Sequence, residues 1–167
     1  MNLVEQLKIT TNYLTIRNFT RAIEISKKIL KKTPNNSFAL NLLGLAYQGK
    51  GSHTLAINAF EKAIFYDEKN VSPMNNLANT YKKVGEYEKA ERLYNNILKI
   101  NPNYIQAIHN YANLKKSFLI YDKAIELFKD ALKKAPDNNV IRYSLATSLQ
   151  NLGNFEEAKT EILKILE

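Results

Sequence analysis

The segment Gly85–Ala90 (GEYEKA) shows how the chain is organised, because similar segments recur at fixed distances from it. One counterpart, Gly51–Ala56 (GSHTLA), begins one period earlier, and another, Gly153–Ala158 (GNFEEA), begins two such periods later. Two less similar copies, Arg17–Ala22 (RNFTRA) and Leu119–Ala124 (LIYDKA), complete a series of five without insertion or deletion. A fixed period between about 20 and 50 residues is typical of repeat architectures. The sequence therefore predicts five tandem units.

The residues of this segment predict a turn followed by a helix. Glycine reaches left-handed backbone conformations without a Cβ penalty, so Gly51, Gly85 and Gly153 are expected between two helices. An aromatic residue two positions later can wedge into that turn. The alanine that ends each segment lies one helical turn further on, where a methyl group lets two helices approach closely. These alanines are Ala22, Ala56, Ala90, Ala124 and Ala158.

Apolar residues after each alanine predict the buried face of the second helix of a unit. In the second unit Phe60 is the fourth residue after Ala56 and Ala63 is the seventh, which is the spacing of one helical face. Prolines close the first, third and fourth units, since proline cannot continue a helix interior. These prolines are Pro34, Pro102 and Pro136.

The helix before the glycine completes a known signature. In the second unit a large residue, a leucine, a small residue and a tyrosine stand at Leu40, Leu43, Gly44 and Tyr47. Together with the alanine–aromatic–alanine pattern and the terminal proline, this resembles the tetratricopeptide repeat family over nearly the whole chain. The resemblance implies an all-α, right-handed α-solenoid of about ten antiparallel helices. The chain departs from the family pattern by having no tryptophan and at Ser26, Glu68, Lys115 and Ile162.

We expect one domain spanning residues 1–167. The five repeats are predicted at 3–36, 37–70, 71–104, 105–138 and 139–167, the last of them incomplete. In the first repeat the helices are predicted near 3–16 and 19–32. Ser72 followed by Pro73 predicts an N-cap for the first helix of the third repeat.

The last helix is predicted to carry apolar residues that no later helix covers. A solenoid normally ends in a polar capping face, which is needed for solubility. We therefore expect that this end continues into a longer protein, packs on a partner, or mediates self-association. The residues concerned are Ile162, Leu163, Ile165 and Leu166.

The composition of the chain excludes some kinds of site and suggests some kinds of partner. The chain has no cysteine, which excludes disulfides, cysteine zinc sites and thiol nucleophiles. It has neither a signal-like segment nor a run of about 20 apolar residues, so a cytoplasmic location is expected. The net charge of +8 suggests nucleic acid or anionic membranes as partners. However, many lysines stand late in second helices, where they complement the helix dipole, so no nucleic acid partner is expected. RNA binding by a helical array is a remote alternative.

No constellation of catalytic residues is visible in the sequence. Its two histidines, His53 and His109, have no predicted nucleophile or metal partner, and no glycine-rich phosphate loop or zinc motif is present. We therefore predict a protein that is not itself an enzyme and that carries neither a cofactor nor a metal.

The resemblance places the first helices on a concave inner surface, which predicts a peptide-binding groove. Asn76 and Asn110 occupy equivalent positions of neighbouring repeats, as do Asn79 and Asn113, so each pair is expected to stack between those repeats. A carboxamide offers donors and an acceptor, which suits the backbone of an extended peptide. The predicted binding residues are Phe38, Asn41, Leu45, Asn75, Asn76, Asn79, Lys82, His109, Asn110, Asn113 and Lys116. An apolar start of the groove is expected from Val4, Leu7, Phe38, Leu42 and Leu45, with Lys8 and Thr11 also facing inward.

The sequence allows several interpretations of this groove. The chain has 21 asparagines, so composition alone places some on any surface. The ladder is similar to the one inside the repeat domain of O-GlcNAc transferases, whereas Val140 and Ser144 replace the basic pair of the family's carboxylate clamp. The predicted ligand is a protein or extended peptide with an apolar anchor and polar or acidic residues. The chain is thus expected to be an adaptor or scaffold or, alternatively, the substrate-recognition arm of a glycosyltransferase or sulfotransferase.

Overall fold

The computed structural model describes residues 2–166, and this part of the chain forms ten α-helices and no β-strand. The predicted all-α fold of antiparallel helix pairs is confirmed. Met1 and Glu167, the outer bounds of the predicted domain, lie outside the described residues. In chain order the helices are α1 (Leu3–Thr15), α2 (Phe19–Lys32), α3 (Ser37–Gly49), α4 (His53–Tyr66), α5 (Val71–Lys83), α6 (Tyr87–Ile100), α7 (Ile105–Ser117), α8 (Tyr121–Lys134), α9 (Asn139–Asn151) and α10 (Phe155–Leu166).

The chain divides into two compact units, Met1–Leu93 and Tyr94–Glu167, and α6 spans the division. In the first unit the odd-numbered helices α1, α3 and α5 are neighbours, while α2 packs on α1 and α3 and α4 packs on α3 and α5. In the second unit α7 and α9 are neighbours, α8 packs on both, and α10 packs on α9. Odd-numbered helices are called first helices below, and even-numbered helices second helices. The expectation of one continuous domain stays a prediction.

Asparagine side chains cap most of the first helices. Asn2, Asn36, Asn70 and Asn138 stand at the same position of their repeats, and each accepts a hydrogen bond from a backbone N–H two or three residues later. Such caps satisfy donors that the helix itself leaves unpaired. The predicted cap at Ser72 is wrong, because the Ser72 amide donates to Oδ1 of Asn70 at 3.2 Å. Pro73 is tolerated in this first turn because its missing N–H would have no intrahelical partner there.

The turn inside each repeat has a left-handed residue at a fixed position. Gly51, Gly85 and Gly153 have φ angles of 76°, 86° and 90°, as predicted for the glycine of the turn. The same position is filled by Arg17 with φ 58° and by Leu119 with φ 60°. An L-residue with a side chain pays a steric penalty in this conformation, so these two turns are formed against local preference.

The repeated alanines lie where the paired helices meet. Ala22, Ala56, Ala90 and Ala124 have no exposed surface, and Ala158 is buried. The aromatic residues four positions later are also completely buried, which confirms the predicted stripe; these residues are Phe60, Tyr94 and Phe128. In the first repeat the small Ser26 stands at this position, and its buried Oγ has no hydrogen-bond partner among the described residues.

Two glycines on α3 make room for aromatic rings. A Cβ atom on Gly44 would lie 2.4 Å from the ring of Phe60, and one on Gly49 would lie 2.3 Å from the ring of Phe19. Both separations are far below van der Waals contact, which begins near about 3.5 Å between carbon atoms. Phe60 therefore occupies the space that the missing side chain of Gly44 leaves, and Phe19 packs against the end of α3 in the next repeat. The predicted wedging of Phe19 into the turn of its own repeat stays a prediction.

In the fifth repeat an ion pair replaces apolar contacts. Arg142 stands where the fourth repeat has Ile108, and Glu161 stands where it has Leu127. Nη1 of Arg142 donates to a carboxylate oxygen of Glu161 at 2.7 Å, and both side chains are largely buried. Burial alone would raise the pKa of Glu161, but hydrogen bonds from Lys164 and Arg142 hold that pKa below its ordinary value.

We predict that Leu119→Gly stabilises the protein by about 1 kcal/mol, because glycine removes the left-handed penalty. Leu119 is 70% exposed, so little buried area is lost. The matched control is Gly85→Ala, whose Cβ would meet no atom within 4 Å and which tests the backbone penalty alone. Gly85→Ala should lower the free energy of unfolding by a similar amount, about 1 kcal/mol. Urea unfolding followed by circular dichroism measures both variants, and a destabilising Leu119→Gly would contradict the account.

Candidate peptide-binding surface on the first helices

The predicted binding residues all lie on first helices, but they differ in accessibility. Phe38 is 49% exposed, whereas Asn41 and Asn75 are only 6% and 7% exposed. The remaining predicted residues are half-buried, and they are Leu45, Asn76, Asn79, Lys82, His109, Asn110, Asn113 and Lys116. Asn41 and Asn75 therefore do not form the open part of a ligand surface.

A groove of mainly apolar character runs between α1 and the start of α3. Val4 is 75% exposed, and it lines the groove together with Phe38, Leu7 and Lys8. Of the predicted apolar start, Val4, Leu7 and Phe38 line this groove, whereas Leu42 is buried in the core and Leu45 does not line it. Its lining residues are Val4, Leu7, Lys8, Thr11, Asn12, Thr15 and Phe38, of which Asn12 and Thr15 were not predicted.

Side-chain hydrogen bonds join α3 to α5 in the first unit. Nδ2 of Asn76 donates to Oδ1 of Asn41 at 2.9 Å, and Nε2 of Gln48 donates to Oγ1 of Thr80 at 2.7 Å. Thr80 is completely buried and donates its own hydroxyl proton to the carbonyl oxygen of Asn76. Thr80 was not predicted, although polar residues at the same position of the first and fifth repeats, Asn12 and Ser148, were a visible signal.

A comparable set of bonds joins α7 to α9 in the second unit. Asn113 lies 3.0 Å from Nε2 of His109, and the same nitrogen lies 3.5 Å from Oγ of Ser144. Nζ of Lys116 donates to Oγ1 of Thr147 at 2.6 Å. His109 and Lys116 thus take part in contacts between neighbouring first helices, as Asn41 and Gln48 do in the first unit.

The predicted stacking of Asn76 on Asn110 would involve residues of two different units. Asn76 belongs to Met1–Leu93 and Asn110 belongs to Tyr94–Glu167. Asn79 and Asn113 also belong to different units, so the stacking of both asparagine pairs stays a prediction. Within each unit, the first helices are linked by side chains of neighbouring repeats.

Two lysines of the predicted surface sit in partly desolvated positions. Burial lowers the pKa of Lys82, and the charge of Lys83 lowers it further. Burial also lowers the pKa of Lys116. Within residues 2–166 no hydrogen bond or ion pair satisfies Nζ of Lys82, so an anionic group placed near it would favour its charged form.

Clusters of metal-ligating side chains and membrane-spanning helices are absent from the described residues. Within them no three histidine or acidic side chains gather into a set that could hold a metal ion. None of the ten helices is long and apolar enough to cross a bilayer. His53 lies at the start of α4, and its Nδ1 is buried without a hydrogen-bond partner in the described part of the chain.

Comparison with known families agrees with the helix pairs and their spacing. Three family models, each described as a tetratricopeptide repeat, match residues 39–70, 73–104 and 121–167, which together make up well over half of the chain. The chain belongs to the tetratricopeptide repeat family. As a member of this family it has a fold that is typical of non-catalytic scaffolds which bind other proteins. No curated protein sequence is significantly similar to the chain.

Solved structures with the same fold cover almost the whole chain. A crystal structure of MamA is 24% identical, covers 99% of this chain and 94% of its own, and superposes with a TM-score of 0.81. A second MamA structure, also 24% identical, covers 98% of this chain and 89% of its own at a TM-score of 0.79. The pilF protein of Pseudomonas aeruginosa is 18% identical, covers 97% and 74%, and has a TM-score of 0.89. At these identities the likeness shows the fold alone.

We predict that Asn41→Ala costs about 1 to 2 kcal/mol of stability, because it leaves the amide of Asn76 without its partner. Asn76→Ala should cost a similar amount, and the double variant should cost less than the sum. The exposed Asn96→Ala is the matched control and should be neutral. Chemical denaturation of the four variants measures this coupling, and strictly additive losses would show that the bond is not formed.

Proposed function

We propose that the chain binds another protein by holding an extended peptide in the groove between α1 and α3. The observation that carries this proposal is the exposure of Val4 and Phe38 beside Lys8. Neither side chain belongs to the buried stripe that packs the repeats. Exposed apolar side chains that line a common groove are typical of interaction sites, whereas isolated ones are common on any surface.

The polar part of this surface favours a ligand with acidic residues. Lys8 lines the groove, and Lys82 on α5 occupies a desolvated position without an ion pair in the described chain. A carboxylate of the ligand near Nζ of Lys82 would offset part of the solvation energy that burial costs this charge, and one near the exposed Lys8 would form a surface ion pair. Asn76 already donates to Asn41, so the amide ladder contributes less to our proposal than the apolar groove and the lysines.

The same surface would serve an adaptor or the substrate-recognition arm of a larger enzyme. The family's usual role as a scaffold supports the first of these. The cytoplasmic location expected for the chain, and with it for its protein partner, stays a prediction.

The proposal is tested by selecting peptides from a displayed library of random sequences, about 12 residues long so that an extended strand spans the groove, on the wild-type protein. We expect a class of peptides with an apolar anchor and acidic residues whose affinity falls at least about tenfold on Phe38→Ser, since a lost anchor is worth at least about 1.4 kcal/mol. Lys8→Glu should weaken the same class further.

The matched control is Val84→Ser, which removes an exposed apolar residue of the same unit that does not line this groove. It should leave this class of peptides unaffected. If no selected peptide depends on Phe38, the groove between α1 and α3 is not the binding site.

A further inference from the structure

Helix α4 differs from the other second helices in its exposed residues. The last turns of α2, α6, α8 and α10 all contain lysine, whereas α4 has no basic residue in its last turn. Phe65 stands where the other repeats have Lys31, Lys99 and Lys133. It is 73% exposed, and the neighbouring Tyr66 is 47% exposed with its ring edge-on to that of Phe65.

A third exposed apolar residue lies on the same side of α4. Leu55 is 48% exposed, and the corresponding residues of the other repeats are Arg21, Lys89, Lys123 and Glu157. The residues of α4 that pack the repeat are Ala56, Ala59, Phe60 and Ala63, all of them buried. Packing of the fold therefore requires neither Leu55 nor Phe65, and charged side chains are accepted at both positions elsewhere in the chain.

These residues form one wall of a groove between α2 and α4. Leu30 of α2 and Pro34 form the other side, and α3 forms the floor. The floor residues Leu40, Leu43 and Tyr47 are spaced by three and four positions, so they form a single stripe along α3. The α4 wall runs from Leu55 to Tyr66, which at about 1.5 Å per residue is a length of about 17 Å, and it faces Leu30 near the end of α2 and Pro34 after that end. An apolar stripe between two helical walls suits the apolar face of a third helix.

The charges around the groove favour an acidic occupant. Lys62 lines it, and Nζ of Lys27 lies 5.9 Å from the centre of the Tyr47 ring. The described lining residues include no carboxylate. A second copy of the chain would bring its own net charge of +8, and like charges repel. Charge complementarity thus points to a different protein.

We propose that the groove between α2 and α4 binds an amphipathic helix of a partner protein, with acidic residues flanking its apolar stripe. This groove lies between second helices and shares none of its lining residues with the groove between α1 and α3. It therefore constitutes a second binding site that does not depend on the function proposed above.

The test uses displayed helical peptides of about 16 residues, which are long enough to span the α4 wall, with leucine at positions spaced by three and four. Glutamate flanks the leucines in one pool and lysine in the other. The key variant is Leu55→Lys with Phe65→Lys, which gives α4 the residues that the other repeats have and should fold normally. We expect the wild type to retain the glutamate pool and the variant to bind it at least tenfold more weakly. A loss in spite of two added positive charges would identify the apolar contacts as the cause.

Val84→Ser, which changes an exposed apolar residue that lines neither groove, is the control and should retain the glutamate pool. The proposal is overturned if neither pool binds, if the lysine pool binds as well, or if the lysine variant binds as tightly as the wild type. It is also overturned if sedimentation shows a wild-type dimer that the variant lacks, because the occupant is then a second copy. Binding to vesicles of anionic lipid that the variant loses would likewise overturn it in favour of a membrane.

Discussion

The structure depends on how closely the two helices of a repeat approach each other. At the contact, one helix presents a residue with a minimal side chain and the other presents a large one. The clearest case is Gly44 against Phe60, where even a methyl group would overlap the ring. Because interiors are close-packed, such a contact fixes both the distance and the register of the pair. The repeated alanines apply the same constraint one turn earlier on the second helix.

Much of the fold could be predicted because a buried alanine recurs at one position of every repeat. The period placed the helices of the first repeat within a residue of their observed ends and identified the buried alanines. It could not show that Arg17 and Leu119 adopt the left-handed conformation of the glycines, since local preference opposes this and only the surrounding repeat imposes it. Nor did it reveal the pair of Arg142 and Glu161, because one charged residue at a core position says nothing about its partner.

The candidate site was predicted less completely for reasons of helix geometry. Neighbouring residues on a helix are about 100° apart, so Asn75 is buried while Asn76 is half-buried. Whether a residue contacts a ligand or packs against a neighbouring helix therefore depends on how its helix is rotated about the helix axis, and the sequence does not specify this rotation. The polar bonds between first helices also require coordinates, because Asn41 pairs with Asn76 rather than with Asn75, its equivalent in the next repeat. The sequence marks the groove between α2 and α4 only by the absence of basic residues from the last turn of α4, and the structure shows that Leu55 and Phe65 line this groove together with a stripe of α3.

The central constraint is tested most directly by a double-mutant cycle on Gly44 and Phe60 that measures the free energy of unfolding. Gly44→Ala alone should cost about 2 kcal/mol or more, because the added methyl group overpacks the contact. In a Phe60→Leu background the same methyl group has room, so the additional cost should fall by at least about 1 kcal/mol. If the two substitutions are simply additive, or if Gly44→Ala is neutral, the proposed close contact does not determine the fold.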